Sequence, residues 1–147
     1  KSYNNNKNIL LRSPKATRPW QHVLEPLSGY LLIGHKLINK KLKTKLLPSW
    51  NFGPELRNCR NVEFITKLFL KRLNKKNLKI KIENENKFHE SKFLSLNISK
   101  AKKELNWKPR LNLIQTVNFT VDWYKKYFDK ENVESFTDKQ IQLFLEN

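Results

Sequence analysis

The stretch of sequence that decides the fold is residues 12–29, RSPKATRPWQHVLEPLSG, in which a basic, aromatic-rich loop leads into the first convincing amphipathic helix. Arg18, Trp20 and His22 occupy alternate positions of this loop. In an extended conformation these three side chains would share one face. An arginine and an imidazole beside an indole face can hold an anionic ligand with a planar head, such as a nucleotide diphosphate. Spacing alone leaves a basic surface turn as an equally good interpretation, because the stretch lacks the specificity of a phosphate-loop motif.

The composition is that of one folded domain. The chain has 147 residues, of which 38% are hydrophobic, and this is enough to build a core. No apolar run approaches the roughly eighteen residues of a membrane span, and the opening residues KSYNNNKN do not resemble a signal peptide. We therefore expect no membrane association. Cys59 is the only cysteine and cannot form an internal disulfide, which favours a cytoplasmic location.

Two residue types, methionine and glycine, are absent or rare in the sequence. The sequence contains no methionine, which suggests a piece of a longer product. Its 3 glycines, at positions 29, 34 and 53, exclude the GxGxxG, GxxGxxG and P-loop motifs. We therefore expect no dinucleotide cofactor to be bound by this chain alone.

The net charge of +17 at pH 7 comes mainly from lysines spread over residues 1–139. Clustered lysines bind phosphate backbones by releasing counterions. These lysines are dispersed, however, and they accompany abundant asparagine, which is typical of compositional drift in the encoding genome. We therefore do not expect a nucleic-acid partner.

Apolar periodicity predicts short strands and longer helices. Strands are predicted at residues 9–11, 50–52 and 78–83, and residues 88–96 are predicted to form a loop that leads into a further strand. Helices are predicted from Pro26 in a first turn to about residue 42, at residues 61–73, at residues 99–105 with Ser99 as the N-cap, and at residues 113–128. Thr137 and Gln140, in capping-box spacing, mark a last short helix.

The two longest predicted helices each carry an apolar stripe that we expect to face the core. In the first helix the stripe consists of Val23, Leu27, Leu31, Gly34, Ile38 and Leu42. In the second it consists of Ile114, Val117, Val121, Tyr124 and Phe128.

The sequence offers few residues for catalysis or metal binding. The histidines at positions 22, 35 and 89 show no metal-ligand spacing. Cys59 has no neighbouring histidine or acidic cluster that would make it a nucleophile. His89 lies in a predicted loop, where a ligand contact and a solvated side chain explain it equally well.

Four segments carry a family resemblance. They are RSPKATRPWQHVLEPLSGYLLIG, WNFGPE, SLNISKAKKELNWKPRLNL and VDWYKKYFD. In this order and at these separations they resemble the C-terminal part of the CDP-glucose 4,6-dehydratases, which belong to the extended short-chain dehydrogenases. The RPWQHVLEPLSGY segment is much more specific than SKAKKELNW, which sugar-nucleotide epimerases and dehydratases share widely.

The resemblance implies an α/β fold, namely the substrate-binding part of an extended short-chain dehydrogenase, with mostly helices and a few short strands. In the full-length family, which is often dimeric, a tightly held NAD oxidises CDP-glucose at C4. Water is then eliminated across C5 and C6, and the hydride returns at C6 to give CDP-4-keto-6-deoxyglucose for surface polysaccharide. The resemblance assigns Arg18 to the nucleotide diphosphate and His89 to a second nucleotide contact, with His22 in a supporting position.

The family's glycine-rich NAD turn, its active-site serine or threonine and its catalytic YxxxK pair all belong to the N-terminal Rossmann half, which this sequence lacks. Tyr3 and Lys7 have the YxxxK spacing, but the asparagines between them disfavour the helix that such a pair requires. We therefore expect no catalytic residues here.

Residues 1–147 are thus predicted to be a substrate-side fragment that functions only with a separate N-terminal half. The strands predicted at residues 8–11 and 50–52 would pair with the sheet of that half, so the isolated chain should be marginally soluble. Two alternatives stay open. One is a stand-alone module that binds CDP-sugars or polyanions, and the other is a non-functional gene remnant.

Overall fold

The computed structural model describes residues 8–39, 41–42, 48–74, 78–83 and 91–147. Within these ranges the chain forms mostly helices and a few short strands, as the sequence predicts. The α-helices are α1 (Leu24–Ile38), α2 (Val62–Arg72), α3 (Leu113–Phe128) and α4 (Val133–Glu146). The strands are β1 (Ile9–Leu11), β2 (Thr17–Arg18), β3 (Arg60–Asn61) and β4 (Ile80–Ile82).

The described strands form two small sheets of two strands each. β1 pairs in parallel with β4, which confirms the strands predicted at residues 9–11 and 78–83. β2 pairs antiparallel with β3, so that Arg18 lies directly opposite Arg60. The second sheet therefore places two arginines from distant parts of the sequence next to each other.

Residues 50–52 form no strand, and this part of the prediction is wrong. Their backbone has no partner strand within the described ranges, and the carbonyl of Phe52 accepts a hydrogen bond from Gln21 Nε2 at 2.9 Å. The Phe52 ring packs edge-on against Trp107, with 4.8 Å between the ring centroids. The core forms around this aromatic pair and also includes Ile98, Ala101 and Leu105.

The short helical segment at residues 99–105 is confirmed, but its cap is not the predicted one. Ser99 is already helical, and its N–H donates to the side-chain oxygen of Asn97 at 2.9 Å. This segment directs Trp107 towards α1. The indole Nε1 of Trp107 donates to Ser28 Oγ at 2.9 Å.

α3 begins and ends where the sequence predicts, and its N-terminus has a capping box. Asn112 Oδ1 accepts from the Gln115 N–H at 3.0 Å, and Gln115 Oε1 accepts from the Asn112 N–H at 2.8 Å. α4, in contrast, begins upstream of Thr137 and is capped by Asn132, so the capping box predicted at Thr137 and Gln140 is wrong.

The apolar stripe predicted for α3 is only partly buried. Val117 and Val121 lie in the core, whereas Ile114 and Tyr124 are exposed. The core-facing side of the helix is rotated by part of a turn from the predicted stripe, because Thr116 is buried as well.

The first helix ends at Ile38 rather than near residue 42, and most of the stripe predicted for it does not face the core, although Leu42, beyond the helix, packs there. Leu31 and Ile38 are 76% and 83% exposed. The helix packs through its opposite side, where Glu25 and Gly29 are buried. A Cβ atom at Gly29 would lie 2.5 Å from the Phe52 ring, so the missing side chain permits this close approach. Contact with Phe52 thus helps to decide which face of α1 turns inward.

Glu25 is only 1% exposed and joins α1 to the segment that precedes α3. Its Oε1 accepts from the N–H of Leu111 at 2.7 Å and from the N–H of Arg110 at 2.9 Å, and its Oε2 lies 3.1 Å from the Arg110 nitrogen. Burial raises the pKa of Glu25, while these two N–H groups and the Arg110 charge lower it. The buried carboxyl therefore links two distant parts of the chain.

Replacing Glu25 tests this link. Glu25→Ala leaves two buried N–H donors without an acceptor and should lower the free energy of unfolding by about 2–4 kcal/mol. Glu25→Gln should lower the free energy of unfolding by less than half of this amount, because its one amide oxygen can accept from both N–H groups. Urea denaturation followed by circular dichroism measures both values. Equal stabilities for the alanine and glutamine variants would contradict this role.

The raised pKa of Glu25 also predicts how stability depends on pH. The folded chain holds the Glu25 proton more tightly than the unfolded chain, in which the pKa is near its ordinary value of 4.5. The stabilising contribution is therefore fully present below pH 4.5 and decreases as the pH rises through the raised folded pKa. The side chain of Glu25→Gln does not titrate. The free energy of unfolding of the wild-type chain should therefore fall relative to that of Glu25→Gln as the pH rises over this interval, and urea denaturation at several pH values measures both.

Two glycines of α1 provide a matched pair of substitutions. Gly29→Ala places a methyl group against the Phe52 ring and should lower the free energy of unfolding by about 1–3 kcal/mol. Gly34→Ala meets no atom within 4 Å and should raise it by about 0.5–1 kcal/mol through helix propensity. Thermal denaturation of both variants measures the difference. Similar effects of the two substitutions would show that Phe52 does not pack on Gly29.

Candidate functional site

Arg18 lies in the middle of a small three-stranded arrangement. β3 pairs with β2 on one side, and residues 92–94 run parallel to β2 on the other side. Thr17 makes both hydrogen bonds to this third segment: its N–H donates to Lys92 O at 2.9 Å, and its carbonyl accepts from the Leu94 N–H at 3.1 Å. The backbone on both sides of Arg18 is therefore fixed by segments distant in the sequence.

The Arg18 guanidinium is held by backbone carbonyls. Its Nη1 donates to Thr17 O at 2.8 Å and to Ser91 O at 2.9 Å. Arg60, opposite Arg18, donates from Nη1 to its neighbour Cys59 O at 2.9 Å, and its guanidinium carbon lies 5.9 Å from the centre of the Phe64 ring. Residues directly opposite in an antiparallel pair project to the same face, so two cations share one face here.

Trp20 stays close to this pair, but His22 does not. The Trp20 N–H donates back to Arg18 O at 3.1 Å, which ends the extended run after β2. The indole Nε1 then donates to Arg60 O at 2.8 Å. Because the chain turns at this point, the alternation that predicts a face shared by all three residues fails beyond Trp20. The shared-face prediction is therefore wrong for His22.

His22 is buried against α3, with 9% of its surface exposed. Its ring meets the Phe119 ring edge-on at a centroid distance of 5.5 Å, and its Nδ1 lies 3.4 Å from the Leu24 N–H, which donates to it. Burial lowers the pKa of His22, so the imidazole is neutral at pH 7. A neutral, buried ring positions the loop but adds no positive charge to it.

The other residues singled out from the sequence are placed as follows. His89, Tyr3 and Lys7 lie outside the described residues. Ser91, whose carbonyl accepts from Arg18, follows His89 by two positions in the sequence. His35 lies on the exposed surface of α1, where it faces Asn39.

Sequence reasoning missed Arg60. Its partnership with Arg18 depends on the register of β2 and β3, which are separated by a helix and a loop along the chain. No local pattern carries that information. The available signal was weaker: an arginine directly before the predicted helix at residues 61–73, with Cys59 on its other side. Cys59 itself is buried, and burial raises the pKa of its thiol.

Two grooves lie elsewhere on the described surface. One, of about 1080 Å³, runs between α1, residues 105–110 and α4, and the other, of about 420 Å³, lies between His22 and the helices α3 and α4. Arg18 is among the described lining residues of neither groove. Arg60 is exposed and Arg18 is half-buried, so the arginine pair lies at the surface of the described chain and outside these two grooves.

In the described part of the chain, no group of three His, Cys, Asp or Glu side chains is arranged to hold a metal ion. Within the same residues, no helix is both long enough and apolar enough to cross a membrane.

Comparison with known proteins supports the family resemblance. The chain is 34% identical over 145 residues to a CDP-glucose 4,6-dehydratase from Salmonella typhimurium, and the match covers 99% of this chain. It covers 40% of that enzyme, so the chain spans well under half the length of its curated relative. No protein-family model matches the chain.

Solved structures show the same fold at lower identity. A dTDP-glucose 4,6-dehydratase from Bacillus anthracis, in complex with NAD, gives a TM-score of 0.66 at 21% identity and covers 85% of this chain and 36% of its own. A UDP-glucose 4-epimerase from Thermotoga maritima, with UDP-glucose, gives a TM-score of 0.65 at 17% identity and covers 86% of this chain and 38% of its own. The predicted fold class is thus confirmed.

Proposed function

Because this chain matches the C-terminal part of a dehydratase of the short-chain dehydrogenase type, we propose that it forms the CDP-sugar-binding side of a CDP-glucose 4,6-dehydratase. The observation that carries the proposal is the match at 34% identity over 145 residues, which includes the whole RPWQHVLEPLSGY segment. The complete enzyme would convert CDP-glucose to CDP-4-keto-6-deoxyglucose in the cytoplasm for deoxysugar and surface polysaccharide synthesis.

NAD would supply the hydride acceptor and donor of that reaction, but the residues present do not fit it. Gly29 and Gly34 both lie inside α1, and Gly53 packs against the Leu96 side chain, where a Cβ atom would be 2.9 Å away. None of these glycines opens a turn onto a helix N-terminus, which is the geometry that cradles a dinucleotide pyrophosphate. We therefore assign no catalytic step to this chain.

Arg18 and Arg60 are the proposed diphosphate contacts. Two guanidinium groups that lie opposite each other on one sheet face repel each other. A diphosphate bound between them would attract both and so offset this repulsion. The backbone carbonyls that hold Arg18 also fix its direction before the ligand arrives. Pre-organised arginines of this kind suit bidentate recognition of phosphate oxygens.

His89 and His22 take secondary roles in this proposal. We assign His89 to a second contact with the nucleotide, since the segment that follows it is the one bound by Arg18. His22 supports the loop from behind, through the Phe119 ring and the Leu24 N–H. Because the His22 ring is neutral, we do not assign it to a direct contact with the phosphates.

Ligand binding by the arginine pair can be measured by calorimetry with CDP-glucose. Arg18→Ala should weaken binding by about tenfold or more, because a charged hydrogen bond of about 1.5–3 kcal/mol is lost. Arg60→Ala should weaken it to a similar extent. Arg72→Ala is the matched control, since Arg72 pairs with Asp122 on α3 and should leave the affinity unchanged.

The same titration distinguishes the proposed pocket from loose attraction of anions. If affinity collapses between low and moderate salt and Arg72→Ala weakens binding as much as Arg18→Ala, the chain is a polyanion-binding module instead. A shaped site should retain most of its affinity for CDP-glucose over the same change in salt.

The incomplete site predicts an inactive chain. Purified chain incubated with CDP-glucose and NAD should form no 4-keto product, because it holds neither a cofactor cradle nor a catalytic tyrosine pair. The absorbance of the 4-keto sugar in alkali measures the product, with the complete Salmonella typhimurium enzyme as the positive control. Turnover by the chain alone would contradict the proposed fragment role.

A further inference from the structure

The smaller of the two grooves, here called the His22 groove, lies between the loop before α1 and the helices α3 and α4. Its volume of about 420 Å³ is in the range of small-molecule sites, which is about 300–1,000 Å³. Its described lining residues include no Asp, Glu, Lys or Arg, although 29% of the chain is charged. A charged ligand would give up hydration in this groove without gaining a charged partner. The lining therefore favours an uncharged ligand.

Two aromatic side chains of α3, Trp123 and Tyr124, form one wall of the His22 groove. Their rings meet nearly at right angles, with 5.4 Å between the centroids. Trp123 is anchored to α4, because its Nε1 donates to Thr137 Oγ1 at 2.9 Å. Tyr124 stacks on Phe128, one helical turn further on, at a centroid distance of 5.9 Å. This aromatic wall is therefore held in place by contacts within the chain.

The polar part of the lining includes two deeply buried side chains, His22 and Gln140, which are 9% and 5% exposed. The Leu24 N–H donates to His22 Nδ1, so the proton of the neutral ring is on Nε2. Gln140 Nε2 donates to Phe119 O at 2.8 Å, and this bond fixes the orientation of the amide. Each side chain thus spends one polar atom on the fold and keeps a second one.

The remaining polar atoms are a donor, His22 Nε2–H, and an acceptor, Gln140 Oε1. Within the described residues neither atom has a hydrogen-bond partner, and neither is closed off from solvent. A ligand that displaces water from them must replace both hydrogen bonds, because an unpaired polar group in a buried position is costly. A hydroxyl group both donates and accepts, so a ligand with several hydroxyl groups can satisfy the pair.

We propose that the His22 groove binds an uncharged sugar ring, at a site separate from the arginine pair. The C–H groups on one side of the ring lie against the aromatic wall, since the face of an aromatic ring carries negative charge density that suits them. The hydroxyl groups pair with His22 Nε2–H and Gln140 Oε1. A flat heterocycle is the weaker occupant, because it can stack on only one of two rings that stand nearly at right angles.

Three sugars of similar shape test the preference for an uncharged ligand. D-glucose is neutral, protonated D-glucosamine carries a positive charge, and D-glucuronate carries a negative charge. Saturation-transfer NMR detects weak binding of each sugar to the wild-type chain, and a titration gives the affinity. D-glucose should bind about tenfold or more tightly than either charged sugar, because the groove offers no partner for a charge.

Two exposed tyrosines of α3 provide matched variants. Tyr124 and Tyr127 are 48% and 54% exposed, and each ring contacts Trp123 and Phe128. Only Tyr124 is among the described lining residues of the His22 groove. Tyr124→Ala should therefore weaken the binding of D-glucose by about tenfold or more, whereas Tyr127→Ala should bind it as the wild-type chain does. Thermal denaturation checks that both variants fold.

Three outcomes would overturn the sugar site. They are the absence of saturation transfer to D-glucose, tighter binding of D-glucuronate than of D-glucose, and equal losses of D-glucose binding for the two tyrosine variants. The second outcome would indicate loose attraction of anions to a chain with a net charge of +17. The first two need only the wild-type chain, so the proposal can be refuted even if Tyr124→Ala does not fold.

The arginine variant separates this site from the proposed function. Arg18→Ala should bind D-glucose as the wild-type chain does while binding CDP-glucose more weakly, and Tyr124→Ala should show the opposite pattern. Loss of D-glucose binding in Arg18→Ala would assign this sugar to the arginine pair and overturn the separate site. A chain that binds D-glucose in the His22 groove but does not bind CDP-glucose would refute the proposed function alone.

Discussion

The arrangement of this chain depends on one buried carboxyl group. Glu25 accepts hydrogen bonds from the N–H groups of Arg110 and Leu111, so it fixes the start of α1 against the segment that leads into α3. Burying a carboxyl group is unfavourable unless its oxygens are satisfied, and these donors provide that compensation. The loop with Arg18 ends at the same helix start. Its direction is therefore set by an interaction between residues far apart in the sequence.

The same contact divides α1 into two unlike faces. With Glu25 and Gly29 turned towards Phe52 and Trp107, and with Leu32 and Ile33 packed against the same core, the apolar side chains that point outward include Leu27, Leu31 and Ile38. An amphipathic helix at the edge of a complete domain would carry charged residues there. α1 instead carries apolar side chains on both surfaces, one of which packs on the core of this chain.

Local patterns predicted most of the helices and strands. Long-range contacts determine which face of a helix is buried and which residues of two strands lie opposite each other. The limits of α3 and the strands β1 and β4 follow from periodicity, which depends only on neighbouring residues. The inward face of α1 could not be predicted in this way, because both faces are apolar and the choice depends on Phe52 meeting Gly29. Arg60 was missed for a related reason. Its position opposite Arg18 exists only in the register between β2 and β3, and no spacing within either segment encodes that register.

Backbone carbonyl groups hold the two arginines that we propose as diphosphate contacts. Two like charges on one sheet face cost energy, yet Arg18 donates to two carbonyl oxygens and Arg60 to one, which spreads the positive charge over backbone dipoles. Such bonds are weaker than those to an ionised phosphate, so a diphosphate can replace them with a net gain. Residues 91–94, which follow His89 in the sequence, contact the arginine pair through Ser91 O and through the bridge to Thr17. The proposed contact with a nucleotide diphosphate would therefore use side chains whose directions are already fixed by the backbone.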